Sequence, residues 1–341
     1  MTTIFVLTVR GLEAVSAAEL SALPGITVGE TAYRRVLAEC SEALAPLLDL
    51  RTVDDTYLDL GTWSGIGHTR EMLAAIQWYA TQIELETAAQ TIKLLRALPE
   101  EPQFSVTASF VGRRNFSTDE IKLNVAAGIK ERFGLRYTPD DREADLNVRV
   151  FIEHEAAFIG LRLGKHPLHE RGYKVAERAG SLKPSVAAAM LRLAQVEAGQ
   201  RLLDPCCGSG TILIEGALRG AIAEGGDIER DAVAAAQANA QAAGLNLAIH
   251  EWDARALPLP DGSVERVVTN LPWGKQIAVD DSLARLYGDI CGEIERVLLP
   301  GGRVALLSSL PELVHFEKLR EIEAVEISLF GQTPTIRVFG V

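Results

Sequence analysis

The sequence is poor in the features that mark several classes of protein. Among 341 residues there are only four Cys, and 6% of the residues are aromatic. Cys206 and Cys207 are adjacent, whereas Cys40 and Cys291 lie far away, so neither a CxxC zinc site nor a disulfide framework is indicated. No apolar run reaches membrane-spanning length, and the start, MTTIFVLTVRG, lacks the character of a signal peptide. We therefore expect a metal-free globular protein in the cytoplasm.

Basic residues are also in the minority, since 34 Lys and Arg face 46 Asp and Glu and the net charge is −12. This balance argues against a protein that binds nucleic acid non-specifically over its whole surface, because phosphate binding needs Lys and Arg. Two segments, 110–136 and 162–183, nevertheless carry more basic than acidic residues. Each can be an ordinary solvated surface, but together they favour contact with a polyanion. The candidate contacts are Arg113, Arg114, Lys122, Lys165, Arg171 and Lys174.

From residue 200 onward, short apolar runs alternate with helical stretches. This alternation predicts an α/β domain with a parallel sheet covered by helices. The last two runs, EAVEISLF and TIRVFGV, are joined by only GQTP, which is too short for a helical crossover and indicates a hairpin. A parallel, Rossmann-like sheet with an antiparallel last strand is the outline of the class I methyltransferase fold.

The first half of the chain reads as a mixture of strands and helices without a catalytic motif. IFVLTV, RRVLAEC and TYLDLGTW are strand-like, and LEAVSAAELSAL is helical. A second group runs from the helix REMLAAIQWYATQI to the strand pair LNVRVFIEH and AAFIGLRLG. The sequence therefore predicts two α+β domains, over 1–65 and 66–168. The α/β domain then covers 169–341, with a linker and lead-in helix over 169–200.

A glycine-rich turn, DPCCGSGTIL, lies between the first strand and the first helix of the α/β domain. Glycines let the backbone approach a ligand closely at a helix N-terminus. Leu213 occupies the place of the third Gly in a dinucleotide fingerprint, which counts against a nicotinamide enzyme. Asp204, Asp227 and Asp253 end three successive predicted strands, the edge where such sheets bind ligands. This arrangement suits S-adenosylmethionine.

The fourth strand ends in Asn270-Leu271-Pro272-Trp273. An amide and backbone carbonyls at this place can accept the hydrogens of an exocyclic amine and hold its nitrogen towards a methyl donor. A flat indole can stack on the base. Catalysis would then rest on positioning and electrostatic complementarity, with no metal and no covalent intermediate. Together with the family resemblance of this motif, given next, the pattern implies a purine lifted out of its stack as the target.

These motifs resemble those of a known family. Asn270 to Trp273 are similar to the [D/N]-P-P-[Y/F/W] motif of amino-methyltransferases, although Leu271 departs from the double Pro. The longer strings NLPWGKQ, RGYKVAERAGSLKPSVAAAML and DPCCGSGTILIEGA look like the THUMP-domain RNA guanine-N2 methyltransferases. LTVRGLEAVSAAEL resembles the start of their ferredoxin-like domain, and FSVTASFVGRRNFSTDEIKLNVAAGIKERFG resembles a THUMP domain.

The resemblance implies an S-adenosylmethionine-dependent enzyme that methylates guanosine N2 in the tRNA acceptor stem, at position 6. It also implies that the protein is a monomer, that it binds tRNA, and that it does not bind a membrane. By position, Asn270, Pro272 and Trp273 would be catalytic. The residues implied to contact the cofactor are Ser181, Lys183, Ser185, Asp204, Cys206, Gly208, Gly210, Asp227, Ile228, Asp253, Ala254 and Asn270.

Several alternatives remain open at this stage. Guanine-N2 methylation of ribosomal RNA would use the same site, but the chain has a single set of cofactor motifs. Glutamine methylation of a release factor would leave the first half of the chain unexplained. A non-catalytic RNA-binding module conflicts with the intact motif residues Gly208, Gly210, Asp227, Asn270 and Trp273.

Overall fold

The computed structural model describes residues 1–273 and 281–340, with the backbone alone for residues 281 and 282. The chain groups into two compact units, one made of 1–7 and 19–168 and the other of 8–18 and 169–341. The assignment of 8–18 to the second unit was not expected from the sequence. The grouping does not divide the first unit near residue 65, so separate domains over 1–65 and 66–168 stay a prediction.

The N-terminal unit is built on one mixed sheet of eight strands, in the order β2-β3-β1-β4-β8-β7-β5-β6. Its strands are β1 Thr2–Leu7, β2 Ile26–Ala32, β3 Arg35–Cys40, β4 Asp55–Ser64, β5 Gln103–Phe110, β6 Arg136–Tyr137, β7 Leu146–Glu153 and β8 Ala156–Arg162. Its helices are α1 Glu13–Ser21, α2 Met72–Ala80, α3 Leu85–Lys93 and α4 Thr118–Phe133, of which α1 also has residues in the second unit. The expected strand pair is β7 with β8, which are antiparallel.

Helix α4 has local signals at both ends. Ser117 and Glu120 form a capping box, in which each side chain accepts from the other residue's backbone N–H. Gly134 ends the helix in the left-handed conformation at φ 66°. Gly128 lets α4 pack closely on α2, because a Cβ there would lie 2.2 Å from the carbonyl oxygen of Gln77. The caps therefore set the two ends of α4, and Gly128 allows its close packing on α2.

The C-terminal unit has a seven-stranded sheet in the order β11-β10-β9-β12-β13-β15-β14. Its strands are β9 Arg201–Asp204, β10 Ile222–Asp227, β11 Ala248–Glu251, β12 Val264–Asn270, β13 Leu298–Ser308, β14 Arg320–Glu326 and β15 Thr335–Gly340. The first five are parallel, and β15 is antiparallel to both β13 and β14. This is the predicted class I methyltransferase topology, including the terminal hairpin.

Four helices cover this sheet: α5 Pro184–Leu193, α6 Thr211–Leu218, α7 Arg230–Ala242 and α8 Asp281–Val297. Side chains alternate along each strand, so Val268 packs in the apolar cluster with α5, α6 and α7, whereas Val267 packs in the cluster with α8. In the sequence, the stretch TILIEGALRGAIA (211–223) reads as one helix, but the helix of the structure is shorter. It ends at Leu218, and Ile222 already begins β10, because the last apolar residues pair with β9.

Candidate active site

A cleft opens at the carboxyl ends of β9 and β12 in the C-terminal unit. The empty volume of this cleft, including its opening to solvent, is about 410 Å³. Three parts of the chain line it, namely the segment 178–182, the loop after β9 with the first turn of α6, and the strand-end residues Asp204 and Asn270. The cleft therefore lies at the edge where open α/β sheets bind ligands.

Asp204, the last residue of β9, is a buried carboxylate at the base of this cleft. It accepts a hydrogen bond from the Thr269 hydroxyl at 2.6 Å and one from the Cys206 backbone N–H at 3.2 Å. Burial outweighs these hydrogen bonds and raises the pKa of the Asp204 carboxyl to about 7. Asp204 thus ties the glycine-rich loop to β12 and also changes charge close to neutral pH.

The loop between β9 and α6 has a backbone conformation that only its glycines adopt easily. Gly210 precedes α6 at φ 79°, and a Cβ there would meet Ala236 at 3.0 Å. The Gly208 N–H donates to Oδ2 of Asp227, and the Glu229 N–H donates to Oδ1 of the same carboxylate at 3.0 Å. Asp227 therefore joins the loop to the end of β10 and keeps further lone pairs for a ligand.

The segment before α5 is held on the C-terminal unit by buried polar contacts. Glu215 on α6 accepts from the Tyr173 hydroxyl at 2.8 Å and from Nε of Arg171 at 3.2 Å. Lys174 donates to the Ser181 hydroxyl and to the Leu182 carbonyl. Its side chain is partly buried, and the loss of solvation lowers the pKa of its ammonium group. These bonds bring Ser181 and Leu182 to the cleft.

Asn239 on α7 joins the same segment to the glycine-rich loop. Its Oδ1 accepts the N–H groups of Val175 and Ala176, and its Nδ2 donates to the carbonyls of Ala176 and Ser209. The residue is fully buried, and the Ser209 and Ser181 hydroxyls meet at 2.6 Å. A single amide therefore aligns two of the three parts that line the cleft.

Asn270 and Trp273 contact each other at the end of β12. The indole Nε1–H of Trp273 donates to Oδ1 of Asn270 at 2.8 Å. Trp273 is half-buried, and its ring meets Phe330 edge-on with the centroids 6.2 Å apart. Phe330, in the turn between β14 and β15, is 57% exposed and has φ 52°, which is uncommon for a bulky side chain. Two aromatic rings thus lie beside a residue that lines the cleft.

Tyr287 on α8 supports the same turn from inside the unit. Its hydroxyl donates to the carbonyl oxygen of Pro272 at 2.9 Å and lies 3.0 Å from the hydroxyl of Ser308. The side chain is fully buried, and burial raises the pKa of its phenol, so the hydroxyl stays a donor. Tyr287 uses one lone pair of the Pro272 carbonyl and leaves the other, so this carbonyl stays a candidate acceptor for a substrate amine.

The two cysteines of the loop do not have the character of nucleophiles. Burial, reinforced by the charges of Asp204 and Asp227, raises the pKa of both Cys206 and Cys207. A thiol that stays protonated at neutral pH is a poor nucleophile. The described residues also include no group of three or more His, Cys, Asp or Glu that could hold a metal. None of their helices is long and apolar enough to cross a membrane.

Comparison with known proteins gives matches to both halves of the chain. The THUMP domain model matches residues 79–162, and the UPF0020 model, described as an RMKL-like methyltransferase domain, matches residues 171–332. A curated tRNA (guanine(6)-N2)-methyltransferase of Thermus thermophilus is 36% identical over 215 residues. The aligned part is 62% of this chain and 63% of that protein's length.

Two solved structures are similar to this fold over nearly the full length of the chain. The crystal structure of TrmN from Thermus thermophilus is 29% identical, with a TM-score of 0.78 and coverage of 100% of this chain and 99% of that one. A possible methylase from Clostridium difficile 630 is 19% identical, with a TM-score of 0.76 and coverage of 99% and 98%, and it supports the fold alone. The chain therefore carries a THUMP domain followed by a methyltransferase domain. The family resemblance read from its motifs is therefore confirmed.

In this THUMP-domain methyltransferase, some of the expected cofactor residues line the cleft and others do not. Those that line it are Ser181, Asp204, Cys206, Gly208 and Asn270. Gly210 and Asp227 lie directly behind the lining, as the N-cap of α6 and the acceptor for Gly208. Ile228 is 63% exposed beside Asp227, where it offers an apolar surface.

The remaining expected cofactor residues have other surroundings. Asp253 lies two residues beyond the end of β11, and its carboxylate is paired with Arg255 through both oxygens, which lowers the pKa of Asp253. Ala254 packs in the apolar cluster of α8. Lys183 is the N-cap of α5, and Ser185 is fully buried in that helix. Ser185 lies within that helix and outside the lining of the cleft, so its contact with the cofactor stays a prediction. The GKQ part of the resembling motif, 274–276, lies outside the described residues.

Several residues that shape the cleft were missed. Ser209, Thr211 and Ile212 belong to the motif that was noticed, so its pattern could have included them. Asn239 and Tyr287 lie inside ordinary helices and carry no motif signal.

The expected RNA-binding residues also divide into two groups. Arg113 and Lys165 are exposed, and Lys122 is half-buried beside Asp119. The other three are engaged in holding their own unit together, since Arg114 donates to the carbonyls of Ile66 and Gly67, while Arg171 and Lys174 make the contacts described above.

Proposed function

We propose that this protein transfers a methyl group from S-adenosylmethionine to the exocyclic N2 amine of a guanosine in tRNA, at position 6 of the acceptor stem. One observation carries the proposal: Asn270, an amide at a strand end, lines the cleft at the ligand edge of the sheet and has a flat indole beside it. The similarity to the Thermus tRNA (guanine(6)-N2)-methyltransferase supports the choice of base and RNA. A tRNA substrate is consistent with the expectation that the protein is a monomer in the cytoplasm.

The donor groups of the cleft fit S-adenosylmethionine. Asp227 ends β10 with two carboxylate oxygens that each receive only one backbone N–H, so both can still accept from ribose hydroxyls. Ile228 beside it is exposed and apolar, as a surface for a purine ring should be. Ser181 and the loop after β9 provide hydroxyl and backbone groups for the amino-acid end of the cofactor.

The acceptor side of the reaction is positioned by the NLPW turn. A guanine N2 amine has two hydrogens, which Oδ1 of Asn270 and the carbonyl of Pro272 accept, and Trp273 stacks on the base. S-adenosylmethionine, when bound, would supply the methyl group: the C–N bond at N2 would form as the C–S bond breaks, with S-adenosylhomocysteine as the leaving group and the N2 proton passing to water. Both loop thiols stay protonated, which supports direct transfer without a covalent enzyme intermediate.

The surface contacts to RNA are assigned to fewer residues than the sequence suggested. Arg113, Lys122 and Lys165 keep side chains at the surface of the N-terminal unit, and we assign them to phosphate contacts. Arg114, Arg171 and Lys174 are left out of this set, because their donors already serve carbonyl and carboxylate groups of the protein.

The test is incubation with labelled S-adenosylmethionine and unmodified tRNA transcripts, followed by nucleoside analysis and mapping. We expect N2-methylguanosine at position 6, and no product from Asn270→Ala although this variant still binds the cofactor. Ribosomal RNA from cells that lack the enzyme is the comparison substrate. Labelling of that RNA alone, or of adenosine, would contradict the proposal.

A further inference from the structure

The contact between Trp273 and Asn270 determines which end of the amide meets a substrate. An indole N–H is only a donor, so the amide group 2.8 Å away must present its oxygen and not its NH₂. The indole itself is held, because it packs on the apolar cluster of α5, α6 and α7 and meets Phe330 edge-on. The orientation of Asn270 is therefore set by a neighbour whose own position is supported.

The orientation matters because the two ends of an amide are chemically opposite. A guanine amine donates two hydrogens, and the flipped amide would face it with another donor. A carbonyl oxygen has two lone pairs, so the bond from Trp273 leaves one for the substrate. We propose that the indole N–H of Trp273 is a positioning donor that keeps Oδ1 of Asn270 available as the acceptor for the target amine. The inference rests on the proposed function.

This role differs from stacking and can be separated from it. Phe keeps a flat ring at position 273 but has no N–H, so Trp273→Phe removes the donor and retains part of the stacking surface. A carboxylate at position 270, as in Asn270→Asp, has two equivalent oxygens and needs no orienting donor. The N–H should therefore matter when position 270 carries the amide and lose its importance when it carries the carboxylate.

The experiment is a double-mutant cycle with W273F, N270D and the double variant, measured as kcat and KM for tRNA and as cofactor affinity. In the wild-type background we expect W273F to lower kcat about tenfold, the effect of one oriented hydrogen bond, with unchanged cofactor affinity. In the N270D background the same change should keep only the loss that comes from weaker stacking, so kcat should fall by a clearly smaller factor than in the wild-type background. An equal loss in both backgrounds would assign Trp273 to stacking alone, and a gain in kcat would make the contact a block on the acceptor. Either result overturns the inference.

A second measurement does not depend on turnover. The indole proton of Trp273 can be identified in NMR spectra as the resonance that W273F removes. It should lie downfield in the wild type and move upfield in Asn270→Ala, whereas an unmoved resonance would show that the bond is absent. Lack of any methyl transfer to RNA by the wild type would contradict the proposed function, while the NMR result still decides the inference.

Discussion

Replacing Tyr287 by Phe removes one hydroxyl from the interior of the C-terminal unit and leaves the ring in place. The hydroxyl bonds the Pro272 carbonyl at 2.9 Å and lies 3.0 Å from the Ser308 hydroxyl, at a fully buried side chain. A buried polar group that loses its partner costs about 1–3 kcal/mol, so the free energy of unfolding should fall by about that amount. No cavity larger than one oxygen atom is created.

The same change should also slow methyl transfer. Without the Tyr287 hydroxyl, the Pro272 carbonyl loses this buried donor, and the turn formed by Asn270–Trp273 can shift. Because a displacement of about 1 Å at a reacting group costs up to about 100-fold, we expect kcat to fall about 10- to 100-fold. Cofactor affinity should be nearly unchanged, because Tyr287 touches only the acceptor side of the site.

The matched control is Ser308→Ala. It removes the other partner of Tyr287 and the acceptor of the Leu310 N–H, which Ser308 receives at 2.9 Å, but it leaves the bond to Pro272. Its stability loss should therefore be similar, with kcat changed less than about twofold. Denaturant unfolding and steady-state kinetics with labelled cofactor measure the two effects. Equal losses of kcat in both variants, or none in Tyr287→Phe, would refute the positioning argument.

Three further predictions concern charge. Burial raises the pKa of Asp204 to about 7 from 3.8, so the native state holds a proton that the unfolded chain releases. Relative to Asp204→Asn, the wild type should therefore lose on the order of 4 kcal/mol as pH rises from about 4 to about 7, and a pH-independent difference would contradict this pKa. Asp227→Ala should weaken cofactor binding in calorimetry by about tenfold or more, since the Gly208 N–H and the ribose lose a charged acceptor; equal affinity would remove Asp227 from the site. Arg113→Ala should lower the salt dependence of RNA binding by about one unit of log–log slope, and an identical slope would return it to the solvated surface.

The sequence predicted where the polar residues at the strand ends lie, because that placement depends on local order. Asp204, Asp227 and Asn270 each follow an apolar run, and parallel strands bring their carboxyl ends to one edge whatever the details of packing. Asp253 shows the limit of this reasoning. It lies two residues past its strand, where a local pairing with Arg255 takes up its carboxylate.

The basic residues show a second limit. A count of charges treats Arg113 and Arg114 alike, but one is exposed and the other donates to two carbonyls of a distant turn. The residue type of a basic side chain does not show whether it donates to a backbone carbonyl of its own protein. The number of basic residues therefore does not give the number of exposed basic side chains, and the contacts to RNA stay a prediction.

The order of apolar runs and glycines by itself determined the topology of the methyltransferase sheet and the place of its ligand edge, since both follow from periodicity and connection length. Only the tertiary structure decided how that edge is held together. Asn239 reaches Val175 across 64 residues, and Tyr287 reaches Ser308 from the opposite side of the sheet edge. Such partners are selected by shape and by the need to satisfy buried polar groups, which no short stretch of sequence encodes.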